Sequence, residues 1–476
     1  MNPRLASAVV FGTSACVLVL EILAGRLLAP IIGVSLETFT GIIGTVLAGI
    51  VLGNAIGGRL ADRHDPAALL GPVLMAGGVL SWLAPILAAT LAPVPAAGPL
   101  TIVVFTAVLF FAPAVLLSTV GPLVAKLQLR SLDDSGKVVG NLSAAGSAGA
   151  LAGTFLTGFV LVPAFGTRAV IVAVGALLVV AGAALGGWTH LRREVFATIV
   201  ALGLGVGAAV VPGRCDTETA YACVAIVADP DRPSGRLLLL NGERNSYVDL
   251  DDPEHLEFRY TRLFAQVLDS TAPDALDVVH IGGAGLAVPR YLEATRPGSS
   301  HLVLEVDGEL VEVVDEAFGD RTGSAIRVDV GDARLTLAAV ETASADVVIG
   351  DAFSGLTVPW HLTTRQYTAE MKRVLRPGGM VVLNLVDGGR ADFAAAGAAT
   401  LAAAFRHVVI IEPEGGLPPT DGWNIVVAAS DTPLDEVAVD PADGTVLGRE
   451  ATASLIARGL VLDDDFAPVD QLRRTG

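Results

Sequence analysis

The sequence predicts an α-helical membrane bundle followed by a doubly wound α/β domain, with a small β-hairpin subdomain between the two. Three observations carry that reading. Long apolar runs are confined to the first part of the chain, strand-like and helix-like segments alternate in the last part, and the charge changes between them. Residues 1–213 hold 10 Lys and Arg against 7 Asp and Glu, and residues 214–476 hold 21 against 42. The net charges are +3 and −21, within a chain total of −18. The predicted limits are 1–213 for a transmembrane domain, 214–260 for the β-subdomain and 261–476 for the α/β domain. A charge of −21 argues against nucleic acid or an anionic lipid surface as a partner of the second part. Solubility explains that acid excess better than cation binding does.

A helix needs about 20 apolar residues to cross a hydrocarbon core. Seven stretches meet that length: Leu5–Ile32, Thr38–Leu60, Ala67–Leu91, Leu100–Val120, Val138–Val162, Thr167–Gly187 and Val195–Val211. The first is too long and too charged within for a cleaved signal peptide. The fifth is dense in Gly, Ala and Ser from Gly140 to Gly158, which predicts close packing inside the bundle. Arg4, Arg59, Arg63, Lys126, Arg130, Lys137, Arg192 and Arg193 fall on alternate loops, so the positive-inside rule puts the N-terminus in the cytoplasm. Seven spans then make everything after Val211 extracytoplasmic, in a multi-pass protein of the cell membrane. Gly58-Arg59-Leu60-Ala61-Asp62-Arg63 resembles the cytoplasmic loop between helices two and three of major-facilitator transporters, which implies the same orientation.

Glu21 lies deep in the first span, where an ionisable group is costly unless it faces a partner or water. Two readings stay open: a polar site inside the bundle with Asn54, or a structural carboxyl that pairs with Arg26 or is hydrogen-bonded. Cys16 reads as a small apolar residue of the same span. Cys215 and Cys223 close a short loop just past the last span, and the predicted compartment favours a disulfide between them. Two cysteines without a nearby His make no zinc site, and no metal is expected.

In the second part, Val224–Ala228, Arg236–Leu240 and Ser246–Leu250 read as strands. Asn241-Gly242 between the last two is a strong hairpin signal. A helix is predicted over Pro253–Leu268, with Phe258, Leu263 and Phe264 on a helical spacing. Strands follow at Leu276–Ile281, His301–Val306, Ile326–Val330, Ala345–Ile349, Met380–Leu385, His407–Ile411 and Asn424–Ala429, with helices from about Val288 and at Leu310–Phe318 and Arg365–Val374 among them. Such alternation predicts a mostly parallel sheet.

In sheets of this kind the ligand lies beyond the carboxyl ends of the strands. The first α/β strand ends at Gly282-Gly283-Ala284-Gly285, whose glycines let the backbone pass close to a ligand. Glu305 ends the second strand, about 20 residues on, where an acid can accept from both ribose hydroxyls. Asp332 follows the third strand, placed for an adenine amine, and Asp351 follows the fourth on the substrate side. Asp307 reads as a helix N-cap. Val288 stands where a dinucleotide fingerprint has its third glycine, which weakens NAD as the ligand.

Gly-Gly-x-Gly, Glu-x-Asp, Gly-Asp-Ala and Leu375-Arg376-Pro377-Gly378-Gly379 together resemble class I methyltransferases, which implies a Rossmann-like fold of the S-adenosylmethionine transferase type. Leu240-Asn241-Gly242 to Asn245, followed by Asp251 and Glu257-Phe258-Arg259-Tyr260, resembles the N-terminal β-subdomain of spermidine synthases. The resemblance covers about Leu237 to Ala429, and the seven-span front end resembles the membrane region fused to such domains in bacteria.

That resemblance implies an aminopropyltransferase with decarboxylated S-adenosylmethionine as co-substrate, no tightly bound cofactor, and putrescine or a similar small amine or polyamine as acceptor. Gly282, Gly283, Gly285, Glu305 and Asp332 would serve the donor, with Asn245 at a position where the family has Gln. Tyr260 would line the polyamine channel, and Asp351 would hold and deprotonate the amine. The lipid bilayer is the other expected partner, and homodimerisation is left open. Two family carboxylates are absent here: Ala284 stands at the one that grips the aminopropyl ammonium, and no second Asp follows Asp351 in Ala352-Phe353-Ser354-Gly355. Methyl transfer from S-adenosylmethionine, and a transporter or receptor with a non-catalytic polyamine- or nucleoside-binding domain, are therefore carried as alternatives.

Overall fold

A computed structural model of the chain describes residues 1–91, 94, 98–129, 135–186, 205–210, 214–271, 275–319, 321, 324–353, 358–416 and 423–473. It divides into two compact units, Met1–Cys223 and Val224–Gly476.

Among the described residues of the first unit, six helices are long and apolar enough to cross a membrane: α1 Pro3–Ile32, α2 Leu36–Arg63, α3 Pro66–Thr90, α4 Pro99–Gln128, α5 Ser135–Ala164 and α6 Thr167–Leu185. They match the first six predicted spans. The seventh, Val195–Val211, lies largely outside the described residues, of which 205–210 are helical. Small residues set the helix contacts. A Cβ added at Gly53 of α2 would lie 2.3 Å from the Val115 carbonyl oxygen of α4, and one at Gly153 of α5 would lie 2.5 Å from that of Ala15 in α1. Backbones therefore touch where side chains would otherwise keep them apart. Helices α4 and α5 each contain a π-helical turn, Ala107–Phe111 and Thr157–Leu161. Pro113 and Pro163 follow, and a proline's missing N–H unsettles the ladder one turn earlier.

Two expectations for the bundle need correction. The fifth span is not interior: of Ser135–Leu156 only Leu142, Gly149 and Gly153 are buried. Its glycines fit one neighbour, α1, and the rest of the helix is left on the outside. Glu21 does not pair with Arg26, whose guanidinium instead reaches Thr167 Oγ1 and the carbonyls of Thr219 and Ala220. Nor does it meet Asn54, which is exposed. The Cys215–Cys223 disulfide is present, with Cα atoms 5.3 Å apart.

The second unit opens with an antiparallel meander, β1 Cys223–Ala228, β2 Gly235–Leu240 and β3 Glu243–Asp249. Asn241 and Gly242 both have positive φ, 53° and 81°, as the tight turn between twisted strands requires. The helix that follows, α7, runs Arg259–Thr271 and not from Pro253. The reason is local. Arg262 Nη1 takes the carbonyls of Leu256 and Glu257, and Asp249 Oδ1 takes the N–H groups of Asp251 and Asp252. Those backbone groups are spent before a helix can use them.

The α/β part contains β4 Asp277–Ile281, α8 Ala287–Thr295, β5 Ser300–Glu305, α9 Gly308–Phe318, β6 Ile326–Val330, β7 Ala345–Gly350, α10 Arg365–Val374, β8 Leu375–Asp387, α11 Asp392–Ala402, β9 His407–Glu412, β10 Trp423–Ser430, β11 Thr445–Val446 and α12 Arg449–Arg458. The eight-stranded sheet has the order β11-β9-β10-β8-β7-β4-β5-β6. Strands β4 to β8 pair in parallel and the remaining three antiparallel. Strand β11 and helices α11 and α12 are additions to the predicted elements. Buried apolar side chains cover both faces: Val279, Val348, Tyr367 and Phe393 on one, Phe264, Val278 and Leu292 on the other. Arg376 ties the strand starts together, with Nη2 2.6 Å from Asp277 and Nη1 2.8 Å from Asp346.

Candidate active site

Parallel pairing brings the carboxyl ends of β6, β5, β4 and β7 side by side. Hydrogen bonds link the chain as it leaves them: Gly331 N–H to Glu305 O at 2.8 Å, Gly282 N–H to Leu304 O at 2.9 Å, and Asp351 N–H to Ile281 O at 2.9 Å. Asp332, Glu305, the glycine turn and Asp351 therefore follow one another along a single edge of the sheet. Their sequence separations of 20 to 30 residues or so reflect only the crossover helices between the strands.

The glycine loop is wedged tightly. Gly282 has φ +86°, and a Cβ there would lie 2.7 Å from Asp351 O. One at Gly283 would lie 2.5 Å from Val303 Cγ1, and one at Gly285 2.6 Å from Ser246 Oγ. The close approach that the glycines permit is thus made, at these three positions, by the protein's own strands. Ala284 and Leu286 also have positive φ, +37° and +60°. Each such non-glycine residue costs roughly 1–3 kcal/mol and persists only where the surroundings hold it. Glu305 supplies part of that hold: Oε2 accepts the N–H of Gly283 at 2.9 Å and of Ala284 at 3.3 Å, and Oε1 that of Asp307 at 3.1 Å. Asp307 is the N-cap of α9, as expected, accepting from Leu310 N–H.

Asn245 sits at a register shift in β3. Leu238 pairs with Ser246 and Leu239 with Arg244, so Asn245 is the extra residue of a bulge. Bulges re-aim side chains at site edges, and the neighbouring Ser246 is the residue that meets Gly285. Asp332 N-caps the turn Ala333–Thr336 through Arg334 N–H at 2.8 Å, and its Oδ2 is 3.4 Å from His361 Nε2.

Asp351 is the acid held by side chains from two other elements. It follows Val347, Val348 and Ile349, which are fully buried. Tyr260 OH donates to its Oδ2 at 2.9 Å, and Asn384 Nδ2 donates to its Oδ1 at 2.9 Å. Burial raises the Asp351 carboxyl above the ordinary range, while the bonds from Asn384 and Tyr260 pull it back. Burial, with the adjacent Asp351 charge, holds the Tyr260 phenol well above its usual range. The turn at Trp360–Leu362 begins at Pro359 without a side-chain cap, and the segment between it and Asp351 lies partly outside the described residues.

The structure thus joins Tyr260 to Asp351, Gly282 to Asp351, Glu305 to the glycine loop and Asn245's strand to Gly285. Asp332 stands one strand further along. Asn384 is the residue that sequence reasoning missed, and the signal was there: a lone amide in the apolar run Val381-Val382-Leu383-Asn384-Leu385 of a central strand. His361 was missed as the neighbour of Asp332.

No family model matches the chain. It is 30% identical over 148 residues to a polyamine aminopropyltransferase of Vibrio vulnificus, covering 30% of this chain and 49% of that protein. It is 25% identical over 146 residues to a polyamine aminopropyltransferase of Chromobacterium violaceum, covering 30% of this chain and 55% of that one. The chain therefore spans about half the length of the relatives it matches. The crystal structure of a probable spermidine synthase from Corynebacterium glutamicum superposes with a TM-score of 0.50 at 25% identity, covering 54% of this chain and 99% of that one. With an eight-stranded mixed sheet, a β-meander in front of it and acids along the strand ends, the chain is spermidine synthase-like in sequence and in fold.

Proposed function

We propose that the protein is a membrane-bound aminopropyltransferase of the spermidine synthase type, with the transmembrane domain at 1–213, the β-subdomain at 214–260 and the transferase domain at 261–476. The observation that carries the reading is Asp351, held by Tyr260 and Asn384 at the end of β7 against the glycine loop. Decarboxylated S-adenosylmethionine is the co-substrate, its adenosyl group lying over Gly282, Gly283, Gly285, Glu305 and Asp332, with Asn245 at the edge. A small amine is the acceptor. Its nitrogen lone pair attacks the aminopropyl carbon bonded to the sulfonium. The carbon–sulfur bond breaks, sulfur keeps the pair and leaves as neutral methylthioadenosine, and the proton of the new ammonium passes to the Asp351 carboxylate. Holding the amine in line and taking its proton are tasks one fixed carboxylate can perform. Tyr260 orients that carboxylate.

Ala284 favours a second reading. Methyl transfer from S-adenosylmethionine needs no carboxylate at that position, and here there is none. Purified full-length protein supplied with each donor and a panel of amines separates the two: release of methylthioadenosine supports the first, release of S-adenosylhomocysteine the second. Ala284→Asp should raise the use of the decarboxylated donor under the first reading. Release of neither product from any amine overturns both and leaves a non-catalytic binding domain.

The proposed setting is the cell membrane, with the bilayer around the bundle and the soluble unit extracytoplasmic; homodimerisation is open. The Cys215–Cys223 disulfide supports an oxidising compartment. A reporter fused after Gly476 should behave as external, and cytoplasmic reporter activity would reject that topology.

A further inference from the structure

His361 belongs to none of the motifs that suggested the site, yet it faces one of the site's acids. Asp332 follows β6, and His361 lies in the helical turn Trp360–Leu362 ahead of α10. Arg334 holds the two together. Its backbone N–H donates to Asp332 Oδ1 at 2.8 Å, and its Nη1 donates to the His361 carbonyl at 2.8 Å and to Thr364 Oγ1 at 3.0 Å. Asp464 fixes the far end of Arg334, 2.6 Å from Nη2, and accepts from Thr364 Oγ1 at 2.6 Å. The Trp360 ring meets the imidazole at 80°, with centroids 5.8 Å apart. Asp332 Oδ2 and His361 Nε2 are left facing each other at 3.4 Å. That is longer than a normal N–H···O bond of about 2.9–3.0 Å. The two side chains are 42% and 31% exposed, so a ligand can reach both. A pair so exposed contributes little to stability, which does not account for the scaffold around it.

We propose that His361 is a specificity-determining residue of the donor site, reading the amino edge of the adenine together with Asp332. The inference rests on the donor reading above and deepens it. Asp332 Oδ1 is taken by Arg334, which leaves Oδ2 for the exocyclic amine. An imidazole N–H beside a carboxylate oxygen presents a donor and an acceptor side by side. Adenine presents the complement: an amine that donates, flanked by ring nitrogens that accept. An amide side chain reads the same edge through N6 and N7. Asp332 therefore takes N6–H, and His361 Nε2–H donates to the adjacent ring nitrogen. A base with a carbonyl in place of the amine would set its oxygen against the Asp332 carboxylate and be rejected. The imidazole need not be charged, because Nε2 carries hydrogen in one neutral tautomer as well as in the imidazolium.

Calorimetry on the detergent-solubilised full-length protein compares methylthioadenosine with its 7-deaza and 1-deaza analogues. In each analogue a C–H replaces one of the ring nitrogens beside the amine. The wild-type protein should bind one of the two at least about tenfold more weakly than the parent. His361→Phe keeps a ring against Trp360 and removes the N–H. It should bind the parent about tenfold more weakly and no longer discriminate against that analogue. Parent-like binding of both analogues to the wild type overturns the inference, and so does discrimination that persists in His361→Phe. Either result leaves the donor reading standing. Failure of methylthioadenosine itself to bind at millimolar concentration rejects the donor reading and the inference with it.

Discussion

Thr13, Thr45, Ser81 and Thr106 of the bundle each donate a hydroxyl to a carbonyl one turn earlier in the same helix, at 2.9, 2.7, 2.8 and 2.8 Å. The soluble unit makes such bonds too, at Thr271, Thr295, Thr368 and Thr400, and adds polar contacts between distant elements. Arg376 reaches Asp277, 99 residues away, and Asp351 is held by residues 91 and 33 positions distant. Where apolar surroundings replace water, a hydroxyl's nearest acceptor is its own helix backbone, and association is left to backbone contact at small residues. Where strand ends converge, polar groups from separate elements can meet and share a proton or a charge. The bundle has long-range polar contacts of its own, from Arg26 and Trp82, while Glu21 Oε2 is buried without a partner among Val17, Leu20, Val46, Phe110 and Leu117. The difference teaches that the bundle is organised by contact and the soluble unit by polar convergence.

The largest test of that contrast uses pH. His280 and His301 are buried in adjacent strands with Nε2 and Nδ1 3.2 Å apart. Burial lowers both, His301 to about 4 and His280 well below its ordinary value. The unfolded chain therefore takes up protons first, and their contribution to stability falls as pH drops from about 6.5 toward 4, by roughly 3 kcal/mol for His301 alone. Asp387, pushed up to about 6 by burial, acts with the opposite sign over the same range. The histidine effect is thus read as a difference. Amide protection factors in β4 and β5, corrected for the intrinsic pH dependence of exchange, should fall more between pH 6.5 and 4 in the wild type than in His280→Leu/His301→Leu. An equal fall in both proteins would show that the pair does not couple folding to protons.

Next in size is Asp351→Asn. It keeps the shape of the Tyr260–Asp351–Asn384 cluster and removes the base. Under the proposed function, donor affinity should hold while transfer falls by at least about 100-fold. A variant with unchanged kcat would remove Asp351 from the chemistry.

The bundle half of the comparison is probed by Gly53→Leu, whose side chain must displace the α4 backbone at Val115. Overpacking of this kind costs about 1–3 kcal/mol, seen as a lower melting temperature in detergent. Gly44→Leu, on the same helix with nothing within 4 Å of an added Cβ, should melt like the wild type. Similar melting of both variants would mean that backbone contact does not organise the bundle.

The smallest effect belongs to Arg376→Met. Its guanidinium is 38% exposed and its two carboxylate partners 43% and 32%, so solvent screens both pairs. Denaturant unfolding should show a loss of about 1 kcal/mol. A loss several times larger would mean that Arg376 acts on the strand starts as a unit rather than as two screened pairs.

Six spans, the hairpin at Asn241-Gly242, the strand–helix alternation and the acids at strand ends were all written in the sequence. Each depends on local steric or hydrophobic pattern: an apolar run's length, two positive φ angles, or the period of a strand. The Cys215–Cys223 pair was legible for the same reason, since eight residues hold the two thiols within reach. Other features required the packed chain. Gly149 and Gly153 announce a close contact but not how many neighbours share it, so α5 was wrongly placed in the interior. The start of α7 at Arg259 depends on Arg262 taking two carbonyls that lie before it in the chain. Asn384 stands out in the sequence as a lone amide, but its partner was fixed only when β8 paired beside β7 and set that amide against Asp351. Periodicity determines which elements form and which of their faces are apolar. Which side chains meet is decided by the crossovers and by competition among distant groups for the same hydrogen bonds, and these exist only in the folded chain.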